Sequence, residues 1–411
     1  MIVLKNAAVF DGQSDTLLKG CSVIVDHGRI IEVREQDKKT GWQLETVDLQ
    51  GCTLLPGLID CHMHLLLYEV PDRDIQFNDR TPGGGELENG MAYLAFRGAH
   101  TAKKVLLSGF TTVFDGGGAG YVDLALRDAI AQGIIEGPSA YVCGKQITAG
   151  RSHFPGLGLE ALGADGMRGA VRTLLWHGVN HIKIKMSAPM RMPGRNTKRS
   201  EFTMPELRAA VEEAHSAGLS VSVHARGAKP ILDSLHAGVD RIVHGTGIDD
   251  GCIDFMLKHG IFLYPTLHSP PREPSAALAA LKTPQVLESI RRKGQQHFES
   301  VKKAYHAGVR LAFSTDSGIM GVMAGDNAME LLCMRELGMG SLEILRSATS
   351  DAAEAVGLAD RIGRVQAGYD ADLIAVRGDP LQTLESILDT QLIMKNGRII
   401  KNTLPMEGAQ N

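Results

Sequence analysis

Two kinds of hydrophobic pattern alternate along the chain. At both ends, short β-branched runs are broken by turn residues. Through the middle, short apolar runs alternate with longer stretches whose apolar positions recur every three or four residues. The N-terminal runs are IVLKNAAVF, CSVIVDHGRIIEVRE and TVDLQGCTLLPG, with a hairpin turn at Asp26-His27-Gly28. The C-terminal runs are DADLIAVRGDP and QLIMKNGRIIKN, with a second turn at Lys395-Asn396-Gly397. This predicts one β-sandwich domain assembled from residues 1–56 and 358–411.

The middle, 57–357, offers eight strand candidates: LLPGLIDCHMH, TTVFDGG, AYVCGK, HIKIKMS, SVSVHAR, RIVHGTG, IFLYPTL and RLAFSTDSG. Helical stretches lie between most of them, such as 204–218 and 299–308, with Gly218 and Gly308 as helix stops. Strand–helix alternation implies a parallel sheet. Eight units predict an α/β chain whose main body is a closed (β/α)8 barrel, with its active site at the C-terminal ends of the strands.

Composition narrows the function classes. The 411 residues are 44% hydrophobic, with a net charge of -4 and both signs dispersed. No basic tract predicts nucleic-acid binding. No apolar run of about 18 residues predicts a membrane span. The N-terminus lacks the pattern of a signal peptide. Six cysteines without CxxC spacing read as reduced thiols of a cytoplasmic protein. The exposed helices of a barrel commonly support self-association, so a homo-oligomer is expected.

The strand ends carry the chemistry. His62 and His64 close the first strand, and residues two apart in a strand point the same way. Imidazole is a common ligand for divalent metals. Lys183 and Lys185 lie in the fourth strand, His224 ends the fifth, His244 the sixth and Asp316 the eighth. Each alone has a bland reading: a packed histidine, a snorkelling lysine, a capping aspartate. Together, at five strand ends, they read as one site.

At these residues the chain resembles the amidohydrolase superfamily of metal-dependent hydrolases. LLPGLIDCHMH matches its first-strand signature, and GGAGY, IKIKMS, VHARG, IVHGTGIDD and FSTDSG follow in order. It is most similar to the branch of imidazolonepropionase-like proteins, Xaa-Pro dipeptidases and arginine or lysine carboxypeptidases. The resemblance implies two divalent metals, zinc by default. His62, His64 and Asp316 would hold the more buried metal, and His224 and His244 the second. A carboxylated fourth-strand lysine would bridge them. The family pattern favours Lys183, matching Ile182-Lys183-Ile184, and leaves Lys185 as a pocket cation.

Such a site activates water near neutral pH and polarises a carbonyl, with Asp316 moving protons. The expected reaction is hydrolysis of a small-molecule amide, a dipeptide or N-acyl amino acid. The alternatives are a cyclic or non-peptide (xenobiotic) amide, a deamination, or a non-catalytic scaffold. Deaminases of this superfamily carry a glutamate after the fifth-strand histidine, where this chain reads VHARGAKP.

The expected substrate contacts are His153, Arg226, Tyr121 and His268. His153, also a candidate catalytic residue, would touch the substrate carbonyl or carboxylate, or else sit in a solvated loop. Arg226 would take a substrate carboxylate, or else pair with an acid such as Asp249. Tyr121 would line the pocket or simply pack, and His268 lies near the mouth. Two departures bear on substrate identity. Ala324-Gly325-Asp326-Asn327 stands where many relatives read His-Gly-x-Asn, and Phe114 stands where they often carry arginine.

Overall fold

The computed structural model describes residues 1–35, 45–67, 88–150, 158–188, 198–269, 272–274, 279–280, 282–319 and 322–407. The two chain ends meet in one hydrogen-bonded sheet of nine strands among the described residues. At its middle, Cys52–Pro56 runs antiparallel to Leu373–Arg377 and parallel to Ile2–Val9. The sheet forks at Ile2–Val9. Ile2–Lys5 pair with Glu45–Asp48, while Ala8 and Val9 pair with Thr53 and Leu54. Both expected hairpins form. His27 and Gly28 have φ of 46° and 78°, and Asn396 and Gly397 have 49° and 72°. Paired positive φ values match the right-handed twist of the strands they join. Leu4, Val23, Leu54, Leu373 and Met394 make this sheet's own core.

The strand Cys52–Pro56 leads directly into Leu58–Met63, the first strand of the central body. Gly57 N donates to the Asp372 carbonyl at 2.8 Å, so this junction is held by backbone on both sides. The central strands pair in parallel. Leu58–Met63, Phe110–Asp115 and Ser139–Val142 form one sheet. Gly158–Glu160, Gln146–Thr148, Ile182–Lys185, Val221–Ala225, Arg241–His244 and Phe262–Tyr264 form another, in that spatial order. Parallel neighbours need long crossovers. The helices Glu88–Leu107, Val122–Ala131, Gly163–His177, Met204–Ser216, Ala228–Ala237, Asp250–His259 and Pro284–His306 supply them.

Two expected strands differ from expectation. The third is broken into Ser139–Val142 and Gln146–Thr148, because the Asp123 carboxylate takes the Gly144 N–H at 2.8 Å in place of a ladder partner. The eighth forms only an isolated bridge, Leu263 to Leu311. It is nonetheless bonded on both flanks. Ala312 N donates to the Leu263 carbonyl at 3.1 Å, Cys61 N to Phe313 at 2.9 Å and Thr315 N to His62 at 3.1 Å. Residues 310–316 therefore span from the end of the larger sheet to the start of the smaller one. Phe313 stacks on Phe110, ring centroids 5.2 Å apart. Ile59, Cys61, Phe114, Val243, Tyr264 and Ala312 share a core with Ala352 and Ala353 of the helix Ser350–Ala355.

Among the described residues, no helix is long and apolar enough to cross a membrane.

Among the described residues, the terminal sheet holds a buried ion pair, Lys395 Nζ to Asp372 Oδ2 at 2.6 Å, with side chains 7% and 6% exposed. Removing one partner strands a buried charge, whereas removing both does not. Asp372→Ala is expected to destabilise the protein by about 3–5 kcal/mol. Adding Lys395→Met to it should recover much of that loss in urea unfolding. A double variant as unstable as the single one would contradict this reading.

Candidate metal centre

The first parallel strand does not end regularly. Its register against Phe110–Asp115 shifts between Asp60 and Met63. A shift of this kind re-aims side chains near a strand end. Here it accompanies the convergence of His62 and His64, whose ring centroids lie 5.3 Å apart at 75°. Asp316 closes the group. Its Oδ1 is 3.5 Å from His62 Nε2 and 3.4 Å from His64 Nε2. All three residues are buried, and one ligand atom from each lies within 4.8 Å of the others. Metal–ligand bonds of roughly 2 Å place tetrahedral donors about 3.3 Å apart. The donor set and its spacing therefore fit a divalent ion.

Two further donors stand beside this cluster. His244 and His224 meet through Nε2 and Nδ1 at 2.8 Å, and His244 lies 6.0 Å from His62, centroid to centroid. Thr266 Oγ1 contacts His244 Nδ1 at 2.8 Å, which fixes the ring's other edge. Lys183 Nζ is 3.5 Å from His62 Nε2. Lys185 is also buried and stands opposite His224 in the strand register. His244, Thr266 and Asp316 adopt φ of 76°, 47° and 56°. Left-handed backbone at non-glycine residues is costly and concentrates at functional sites.

The support around these ligands was not legible as chemistry in the sequence. Asp60 Oδ2 accepts from Thr315 Oγ1 at 2.6 Å and Asn327 Nδ2 at 2.8 Å. Its Oδ1 accepts from the backbone N–H of His62 at 3.1 Å and Thr315 at 3.2 Å. Asp115 accepts from Leu65 N and Gly117 N, both at 2.7 Å. Glu330 receives Leu267 N at 2.6 Å and His268 N at 2.7 Å, tying the loop after Phe262–Tyr264 to the helix Met329–Glu336. Two glycines are forced. A Cβ at Gly116 would sit 2.3 Å from His62 Cε1 and 2.9 Å from His64 Cε1. At Gly318, with φ +90°, it would sit 1.8 Å from the His64 carbonyl oxygen. The available signals were a lone acid inside an apolar run at Asp60 and the glycine run after Asp115.

The electrostatics follow from burial and neighbours. Burial, with the Lys183 charge, pulls His62 down to about 3. Burial opposes charge on His64 too, but Asp316 and Asp115 outweigh it and raise its pKa. Burial disfavours charge on Asp316, yet hydrogen bonds from His62 and His64 hold it well below the usual carboxylate range. Burial lowers the Lys183 ammonium to about 8. It lifts Asp60 to about 6 and Glu330 to about 8, against the hydrogen bonds each accepts.

The expected substrate contacts fare unevenly. Arg226 is buried, and its Nη1 donates to Thr246 Oγ1 at 2.8 Å. Asp249 instead caps the helix Asp250–His259, accepting from Cys252 N at 3.0 Å. Tyr121 stacks on His177 at 3.7 Å with Lys145 Nζ 5.1 Å from its ring centre, so its faces are engaged in packing. His268 is partly buried, and its ring is pushed towards the neutral form by desolvation. His153 lies outside the described residues. Phe114, at a position noted for its departure, stacks on Tyr141 at 4.7 Å within the interior core.

Residues 53–400 match the amidohydrolase family, and the chain belongs to it. Ochratoxinase of Aspergillus niger is 28% identical over 378 residues, 85% of this chain and 75% of that protein. Imidazolonepropionase of Rubrobacter xylanophilus is 25% identical over 366 residues, 82% of this chain and 79% of that one. The crystal structure of a Xaa-Pro dipeptidase with methionine bound in its active site superposes with a TM-score of 0.86 at 27% identity, covering 98% of this chain and all of that one (100%). The expected family and branch are thus found.

Two outcomes test this geometry. Gly116→Ala should weaken metal binding roughly tenfold or more, by displacing both first-strand histidines; unchanged affinity in a chelator competition would contradict it. Glu330 keeps its proton to about pH 8 in the native state, above the ordinary carboxylate range of the unfolded chain. Its contribution to stability is therefore lost as pH rises from about 4.5 to about 8. Glu330→Gln should flatten stability across that window, and an unchanged pH slope would refute this.

Proposed function

We propose that this protein is a binuclear metal-dependent hydrolase of amide bonds, acting on a dipeptide or N-acyl amino acid. The observation that carries the reading is the buried His62–His64–Asp316 cluster with Lys183 against it and the His224–His244 pair alongside. The two parallel sheets and the span 310–316 read as a (β/α)8 barrel (residues 57–357). Residues 1–56 and 358–411 form the composite β domain. In this reading His62, His64 and Asp316 would hold one zinc ion and His224 and His244 the other. Lys183, carboxylated on Nζ, would be the ligand shared by the two. Two observations support Lys183 over Lys185: Lys183 contacts His62, and its lowered pKa favours the neutral amine that carbon dioxide requires. Bound metals supply a water of lowered pKa and polarise the scissile carbonyl.

The chain's own residues do the rest. Asp316 stays ionised, so its carboxylate accepts the proton of the attacking water. As water oxygen adds to the carbonyl carbon and the C–N bond breaks, Asp316 returns that proton to the leaving nitrogen. Ser269 Oγ donates to Asp316 Oδ2 at 3.1 Å and steadies the carboxylate. Arg226 presents a fixed cation to the substrate carboxylate, the geometry in which guanidinium outperforms ammonium. His268, and His153 beyond the described residues, are the further candidates to contact substrate. The Xaa-Pro dipeptidase likeness supports a dipeptide. The imidazolonepropionase likeness keeps a cyclic amide as the second reading.

The test is a screen of zinc-loaded, bicarbonate-supplemented protein against dipeptides and N-acyl amino acids, read by amine release. Hits sharing one C-terminal residue are expected; a blank screen on fully metallated protein would move the assignment to cyclic or non-peptide amides. Asp316→Asn should keep much of the metal and lose turnover by about 100-fold or more, and near-normal kcat would remove it as the proton carrier. Lys183→Ala should lose both metal and activity, and the same losses from Lys185→Ala alone would shift the bridge to Lys185.

A further inference from the structure

We infer that His297, on the helix Pro284–His306, is a positioning residue that aims the Arg226 guanidinium at the substrate through Thr246. This rests on the reading of Arg226 as the carboxylate anchor. His297 is fully buried and touches neither metal cluster directly among its hydrogen bonds. Its Nε2 lies 2.8 Å from the Pro265 carbonyl oxygen. A carbonyl only accepts, so Nε2 carries the hydrogen. Burial, with the Arg226 charge, keeps the ring neutral by lowering it to about 3, so Nδ1 offers a lone pair. Thr246 Oγ1 lies 2.8 Å from Nδ1 and must donate to it. With its proton so used, Thr246 Oγ1 faces Arg226 Nη1 at 2.8 Å as an acceptor, and a guanidinium can only donate. Each bond in the relay has one possible direction.

The relay is anchored at both ends. Arg226 N donates to Ser187 Oγ at 2.9 Å, and Gly227 N donates to the Thr246 carbonyl at 2.6 Å. Arg226 and Thr246 each follow a site histidine, His224 and His244, by two residues. Pro265 precedes Thr266, which contacts His244 Nδ1. A long arginine side chain normally loses rotamer freedom when it grips a ligand. Here that freedom is already lost in the fold, which favours a tight and orientation-selective grip on a carboxylate. The same orientation disfavours a neutral carboxamide, which cannot offer two acceptor oxygens to the fork.

The position of His297 in sequence is consistent with a dedicated role. It falls on the apolar stripe of its helix with buried Gly294, Phe298, Val301 and Ala304. A leucine would fill such a place more simply.

The test uses full-length zinc-loaded protein with 15N-labelled arginine. In the wild type, hindered rotation about Cζ–Nη should give resolved Nη signals for Arg226, identified by their loss in Arg226→Lys. These signals should collapse in His297→Phe and in Thr246→Val. They should return in part in His297→Asn, whose carboxamide oxygen overlaps Nδ1. On any carboxylate substrate found, His297→Phe should raise KM about tenfold with kcat within about threefold, and leave KM for the matching carboxamide unmoved. Arg226 signals that persist in both His297→Phe and Thr246→Val overturn the inference, as does an equal KM rise on the carboxamide. If the relay signals collapse as expected but no dipeptide or N-acyl amino acid is cleaved, the positioning stands and the substrate reading falls.

Discussion

The structure turns on the carboxylate of Asp60. It gathers four hydrogen bonds, from Thr315, Asn327 and the backbones of His62 and Thr315, in a fully buried place. Through them it joins the end of the first parallel strand to the stretch that carries Asp316. Neither side has a complete β-ladder there: one strand shifts register and the other forms a single bridge. A regular ladder would hold these segments by backbone alone. Here a side chain replaces the missing rungs, and the first-strand histidines and Asp316 meet as a result. Burial works against the charge on Asp60, so the clamp depends on all its donors being present.

The clamp also reaches residues 324–327. Asn327 donates its amide to Asp60, whereas Ala324 is a buried core residue. The His62 backbone and the stretch before Asp316 are thus braced from residues 324–327 as well. Arg226 is buried, and its guanidinium is held by Thr246.

Much of this was legible in the chain. Period-two runs with Asp-His-Gly and Lys-Asn-Gly turns marked the terminal strands, and strand–helix alternation marked the parallel body. His62, His64, Lys183, His224, His244 and Asp316 stood out as polar residues at apolar strand ends, and the structure brings all six into direct hydrogen-bond or ion-pair contact with another member of the set. What periodicity could not show was tertiary. The shift at Asp60–Met63, the break between Val142 and Gln146 and the unladdered run 310–316 come from side chains that take over backbone donors. Tyr121 was equally ambiguous, because a glycine-rich turn does not say which way a ring will fall, and it fell against His177. His297 was hidden on the buried stripe of a helix, where a histidine looks like packing until its two partners are known.

The most direct test of the central claim is a crystal structure of the zinc-loaded protein, grown with bicarbonate and phased to show anomalous scattering at the zinc edge. The account predicts two peaks, one among His62, His64 and Asp316 and one at His224 and His244, with density for a carboxylate on Lys183 Nζ reaching both. A single peak, or an unmodified Lys183 turned away from the metals, would contradict a binuclear centre.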